Sequence, residues 1–158
     1  LNPGSAESQN NLGVLYFKQN KFSEALECFQ KSVAINPKQA DAYNNIGAVY
    51  IHQGKGSEAI PALQKSIAID PGQENAYGNL GKAYVDQGRA SEAIKMLQKA
   101  LGRKADAPDI HYYLGLAYEA TGEAIKAISH FKKFLELEPN AAESSQVRAW
   151  LSELQKKN

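Results

Sequence analysis

A step of 34 residues runs through this chain. Leu12, Gly13 and Tyr16 return as Ile46, Gly47 and Tyr50, then as Leu80, Gly81 and Tyr84, then as Leu114, Gly115 and Tyr118. Ala25, Ala59, Ala93 and Ala127 keep the same step, as do Pro3, Pro37, Pro71 and, after one omission, Pro139. Self-similarity at this period marks an array of small units, each of which leaves an apolar face that only its neighbour can bury. Such arrays work through extended surfaces rather than through one enclosed pocket.

One period shows how a unit is built. Tyr43, Ile46, Gly47 and Tyr50 fall at i, i+3, i+4 and i+7, the stripe of an amphipathic helix. Gly54 ends that helix at a position expected to have positive φ, and Asn20, Gly88 and Gly122 stand in the same slot elsewhere. A second helix follows, with Ser57 expected as its N-cap and Glu58 in its first turn; Ser23–Glu24 and Ser91–Glu92 repeat the arrangement. Pro61 is assigned to that first turn, where no intrahelical acceptor is lost. Ala59, Ile60, Leu63 and Ile67 point inward, and Pro71 closes the unit, because the residue before a proline avoids helical backbone. Small residues at Gly47 and Ala59 allow the two antiparallel helices to approach closely.

The pattern resembles the tetratricopeptide repeat family in four units, 6–39, 40–73, 74–107 and 108–141. The matching residues are Tyr43 and Tyr77 at the first marker, Leu-Gly-x-x-Tyr, the second-helix Ala and the closing Pro. Gln9 and His111 replace the first-marker aromatic. The resemblance implies a single all-α domain spanning 1–158, a right-handed α-solenoid whose concave face is lined by the first helix of each unit. After Pro139, a capping helix over 142–157 is expected to place Val147, Trp150, Leu151 and Leu154 on the fourth unit and a polar face outward. Leu1-Asn2-Pro3 aligns with Ile35-Asn36-Pro37, so residues 1–5 read as the end of a preceding repeat, or else as a cloning remnant around Gly4-Ser5. The third unit closes irregularly: Gly102 and Ala105 break the pattern and Pro108 comes late, which predicts an early helix end and a looser seam at 102–108.

Catalytic chemistry finds no support. His52, His111 and His130 fall in different slots and are not expected to converge on a metal, and Cys28 sits in a slot filled elsewhere by Ala62, Met96 and His130. The reading is a non-enzyme with no cofactor and no metal. Eighteen basic and seventeen acidic residues leave a net charge of +1, without the basic excess of a nucleic-acid binder. No apolar run reaches the roughly 20 residues that span a bilayer.

The slots left outside the core carry the functional reading. Asn11, Asn45 and Asn79 share one slot, although Asn is a poor helix-interior residue. Each amide offers a donor and an acceptor, so a row of them can pair with an extended peptide backbone whatever its side chains. This is similar to the asparagine ladder in the repeat domain of O-linked N-acetylglucosamine transferase, and here it stops at Tyr113. The other reading of these residues is bonding between neighbouring hairpins or to water. Phe17, Ile51 and Val85 form a second, apolar row ending in Glu119, as anchors for partner side chains or as packing between hairpins. Asn10, Asn44, Lys82, Tyr112 and Tyr113 complete the candidate set. The carboxylate clamp found in some relatives is rejected, because Asn10, Val14, Asn75 and Asn79 stand where Lys, Asn, Lys and Arg would be needed. Lys82, the one cation on the groove side of the inner repeats, suggests an acidic element in the partner near the third repeat. The expected function is a protein–protein interaction scaffold that holds an extended peptide. The alternatives are a substrate-recruiting domain of a larger enzyme, such as a glycosyltransferase, and end-to-end self-assembly through a first-hairpin face that includes Leu15.

Overall fold

A computed structural model describes residues 4–102 and 107–156. Nine helices and no strand lie among them: α1 (Ala6–Lys18), α2 (Phe22–Ile35), α3 (Ala40–His52), α4 (Gly56–Ile69), α5 (Glu74–Asp86), α6 (Ala90–Leu101), α7 (Pro108–Ala120), α8 (Ala124–Leu137) and α9 (Ser144–Lys156). Consecutive pairs pack as hairpins, and each hairpin stacks on the next. The first helices also touch one another, α1 on α3, α3 on α5 and α5 on α7, whereas α2, α4, α6 and α8 do not meet among the described residues. Contact along one row and separation along the other bends the stack, so α1, α3, α5 and α7 line the concave side of an α-solenoid.

The repeating small residues explain the hairpin interior. Ala25, Ala59, Ala93 and Ala127 are all fully buried. A Cβ added to Gly13 would lie 2.5 Å from the Phe29 ring, and at Gly47, Gly81 and Gly115 it would overlap Leu63, Leu97 and Phe131. The close partner of each glycine is therefore this large second-helix residue rather than the repeating alanine. Above it, the hydroxyls of Ser32 and Ser66 donate to the carbonyl oxygens of Ala6 and Ala40 at 2.7 and 2.9 Å, tying the end of one helix to the start of its partner.

The turns match expectation at one residue and depart from it at the next. Asn20, Gly54, Gly88 and Gly122 have φ of 59°, 69°, 68° and 78°, the left-handed conformation that lets the chain reverse in a few residues. The following helix then starts sooner than the serines suggest. Its caps are Lys21, Lys55, Arg89 and Glu123, none with a side-chain capping bond. Ser57 lies inside the first turn and donates to Glu58 Oε2 at 2.6 Å. The backbone fills the role instead: Lys55 N donates to Tyr50 O at 2.8 Å, closing the turn without a side chain. The same shift moves Pro61 out of the first turn and into the helix interior. α6 ends at Leu101 after 12 residues, two fewer than α4, so the early end is observed. The proposed loose seam falls largely on 103–106, outside the described residues.

Both ends of the stack differ from its middle. Val147 and Leu151 of α9 are buried, Trp150 stacks on Phe131 at 5.6 Å, and Arg148, Ser152 and Glu153 face outward. Trp150 is thus a packing residue of the cap. At the other end Leu12 is 39% and Leu15 56% exposed, while Ile46 and Val49, one period later, are 7% and 0% exposed. The difference is positional, since α3 is covered by the preceding hairpin and α1 meets no preceding hairpin among the described residues.

Candidate functional site

The concave face carries a chain of side-chain amides. Asn79 Nδ2 donates to Asn44 Oδ1 at 2.9 Å, Asn44 Nδ2 lies 3.5 Å from Asn45 Oδ1, and Asn45 Nδ2 donates to Asn10 Oδ1 at 3.0 Å. The sequence row 11–45–79 is therefore joined through a second row, 10–44, and the amides link neighbouring first helices. This is the inter-hairpin bonding that the sequence left open. Asn10 and Asn44 are buried, Asn45 and Asn79 half-buried. Asn11 is exposed and stands apart from the chain of amides. The network stops after α5, because Gly78 has no side chain where Asn10 and Asn44 have theirs, and Tyr113 replaces the next amide.

An amide offers two N–H donors and two acceptor positions. One bond to a neighbouring helix leaves Asn79 with a free N–H and an oxygen available, and both Asn45 and Asn79 line a cavity of about 330 Å³ between α3, α5 and α7. Asn44, Lys82 and Asp109 share that lining. Structure and groove contact are therefore compatible uses of the same residues.

Lys82 is not the open cation that the sequence suggested. Its ammonium pairs with Asp109 at 2.6 Å and sits 5.5 Å from the centre of the Tyr113 ring. A preference for an acidic partner at this point loses its basis. The Tyr113 hydroxyl is pushed up to about 12, first by burial and then by the carboxylates of Asp86 and Asp109 and by Tyr112. Burial raises the Asp86 carboxyl, with Lys82 opposing. Tyr112 packs on Phe134 at 5.4 Å and lies 6.5 Å from Trp150, so it belongs to the junction of α7, α8 and α9.

The apolar row is half-buried throughout. Phe17 meets Phe22 edge-on at 5.4 Å and His52 at 4.9 Å, and Ile51 and Val85 pack on the main core. Part of each side chain is thus hairpin packing. Phe17 also joins Val14, Phe29 and Ala48 around an apolar cavity of about 220 Å³. Sequence reasoning missed Ala48, Asp86 and Phe29 as groove residues. Ala48 and Asp86 lie on the groove-side helices α3 and α5, but neither repeats a residue type that would mark it.

The histidines include one surprise. His111 and His130 were expected to stay apart, yet their Nδ1 atoms are 2.9 Å apart. The ring centres are 5.1 Å apart, close to that distance plus a ring radius at each end, so the nitrogens point at one another. That is the geometry of one shared proton, not of two lone pairs converging on a metal. Burial and then His111 hold His130 below the usual imidazole range, and the ring stacks on Tyr118 at 5.5 Å. Among the described residues no group of three or more His, Cys, Asp or Glu side chains could hold a metal ion. Burial pushes the Cys28 thiol up, which leaves it a weak nucleophile. No described helix is long and apolar enough to cross a membrane.

An array of helical hairpins with a concave amide-lined face defines a helical-repeat interaction protein. Family profiles described as TPR repeat and tetratricopeptide repeat match residues 13–54, 50–117 and 108–141. The chain belongs to the tetratricopeptide repeat family. A search of curated proteins finds no match. Among solved structures, a crystal structure of MamA is 31% identical, with 90% of this chain and 83% of that one covered at a TM-score of 0.76. TTC0263, a thermophilic TPR protein of Thermus thermophilus, is 23% identical, with 97% and 82% covered at 0.73. YrrB, described as a TPR protein with an unusual peptide-binding site, is 18% identical, with 94% and 76% covered at 0.76. The last two likenesses concern the fold. Proteins of this family typically mediate protein–protein interaction and are generally scaffolds rather than enzymes.

Proposed function

We propose that this chain holds an extended peptide segment of a partner protein along its concave face. Asn45 and Asn79 would bond its backbone, and Phe17, Ile51 and Val85 would touch its side chains. The observation that carries the reading is the amide chain from Asn79 to Asn10, because it fixes polar groups in a row while leaving bonding capacity directed into the groove. Fixed groups lose little side-chain entropy on binding, so their bonds contribute more net affinity. Asn11 is the outlying member, and Lys82 supports the wall through Asp109.

The test begins with selection of random twelve-residue displayed peptides on the protein. Enriched peptides are then measured by fluorescence anisotropy against Asn45→Ala/Asn79→Ala, with circular dichroism checking helicity. At least a tenfold loss is expected, about 1.4 kcal/mol. Unchanged affinity with intact helicity refutes the backbone role of the amides. The exposure of Leu12 and Leu15 favours a second reading, self-association of two copies through the first hairpin. Concentration-dependent light scattering that persists in Leu12→Ser/Leu15→Ser would refute it.

A further inference from the structure

We infer that the groove selects a basic, apolar-anchored segment: one large apolar side chain seated beside α1 and α3, and a Lys or Arg about three residues away seated beside Asp86. This rests on the concave face being the binding surface, and it adds the chemistry of the occupant.

Two independent features meet on α3. The first is the apolar cavity of about 220 Å³ enclosed by Val14, Phe17, Phe29 and Ala48, with Lys18 at its rim. The second is a cavity of about 400 Å³ lined by Ile51, His52, Asn79, Lys82, Asp86 and Tyr113. Ala48 borders both, so one bound segment reaches both.

Charge gives the second cavity its preference. The groove-facing slots of α1, α3, α5 and α7 hold Glu7, Asp41, Asp86, Asp109 and Glu119 against Lys18 and Lys82. Lys82 is engaged by Asp109 at 2.6 Å. Asp86 has no hydrogen bond or ion pair among the described residues, and burial disfavours its charged form, which Lys82 offsets only in part. An arriving ammonium or guanidinium relieves that, while the Tyr113 face stays with the Lys82 ammonium. A carboxylate in the same place would meet Asp86 and be repelled, with the Lys82 charge already paired to Asp109. Lys18 at the opposite cavity fixes the order of the two anchors, because it repels a basic residue from that end.

Spacing follows from the helices. Neighbouring helix axes lie roughly 8–10 Å apart, and an extended chain advances about 3.3 Å per residue, so one helix step takes about three residues.

The displayed-peptide selection tests this directly when run on the native protein, on Asp86→Asn and on Asp86→Arg. Asp86 is an exposed residue at the end of α5, and circular dichroism confirms that each variant is folded. Native protein should enrich peptides with a large apolar residue and a Lys or Arg about three positions apart. Their affinity should fall about tenfold in Asp86→Asn and again between low and high salt, and Asp86→Arg should enrich Glu or Asp instead. Enriched peptides that need Asn45 and Asn79 but carry no basic residue, or that carry acidic ones on the native protein, overturn this inference and leave the groove reading standing. No enrichment at all overturns both.

Discussion

Gly78 and Gly81 occupy the same helix, α5, three residues apart, and both are buried. Replacing either with Ala gains the same intrinsic helix propensity, about 1 kcal/mol. Their surroundings differ. A Cβ on Gly78 would come 3.0 Å from the Cδ1 of Ile110, the mobile tip of a side chain, with the next atom at 3.9 Å. A small rotation of Ile110 accommodates it. A Cβ on Gly81 would overlap the branch point of Leu97 and lie 3.3 Å from the Leu97 backbone nitrogen. Neither rotation nor a side-chain shift relieves that, and Leu97 is fully buried. Overpacking of this kind costs about 1–3 kcal/mol before local relaxation, and backbone contact places it at the upper end. Gly78→Ala should therefore be neutral to about 1 kcal/mol more stable, and Gly81→Ala about 1–2 kcal/mol less stable. For a chain of this length the gap corresponds to roughly 2–12 °C in Tm. Urea titration followed at 222 nm, with Tm as a second reading, measures both. In Gly81→Ala/Leu97→Ala the loss should be smaller than the sum of the single losses, because the overlap disappears. Equal stability of the two glycine variants would refute the packing argument.

Three further outcomes follow from the same structure. Pro61 lies in the interior of α4 with its side chain exposed, so Pro61→Ala restores a helix hydrogen bond without touching the core. It should raise stability by about 1–3 kcal/mol in urea titration. A double-mutant cycle on Asn44→Ala and Asn79→Ala should give a coupling of about 0.5–1.5 kcal/mol; a coupling near zero would mean that the amide contact contributes nothing. His130 titrates lower when folded than when unfolded, so the folded state binds fewer protons and stability is lost as pH falls through 6.5 towards the folded value. His111→Tyr/His130→Met, which places the Tyr77 and Met96 pair of the third hairpin here, should flatten Tm against pH in that window.

Much of the fold was legible because one local pattern recurs. The positive-φ turn residues, the close-packed glycines and the buried alanines each follow from a backbone or volume requirement that leaves few residue types acceptable, and four copies expose the requirement. The helix starts were less legible: a serine at an N-cap position says nothing about a turn that closes through backbone bonds alone. For the same reason Pro61 was placed two residues too near the helix start. The early end of α6 was readable because Gly102 interrupts an otherwise steady pattern.

The groove was legible only by subtraction. Removing the core slots exposed the row Asn11, Asn45 and Asn79, but not Asn10 and Asn44 as their partners. The contacts of Asn10 with Asn45 and of Asn44 with Asn79 depend on the stacking angle between hairpins, which no single helix encodes. The pairing of His111 with His130, the capture of Lys82 by Asp109 and the opening of two cavities on either side of Ala48 have the same origin. Sequence alone determined the hairpin, its period and its polar and apolar faces, because those depend on residues within one helical turn or one tight turn. Tertiary structure decided which polar groups are spent on one another and which still face the groove, because hydrogen bonds and ion pairs depend on distances between helices that only the assembled stack sets.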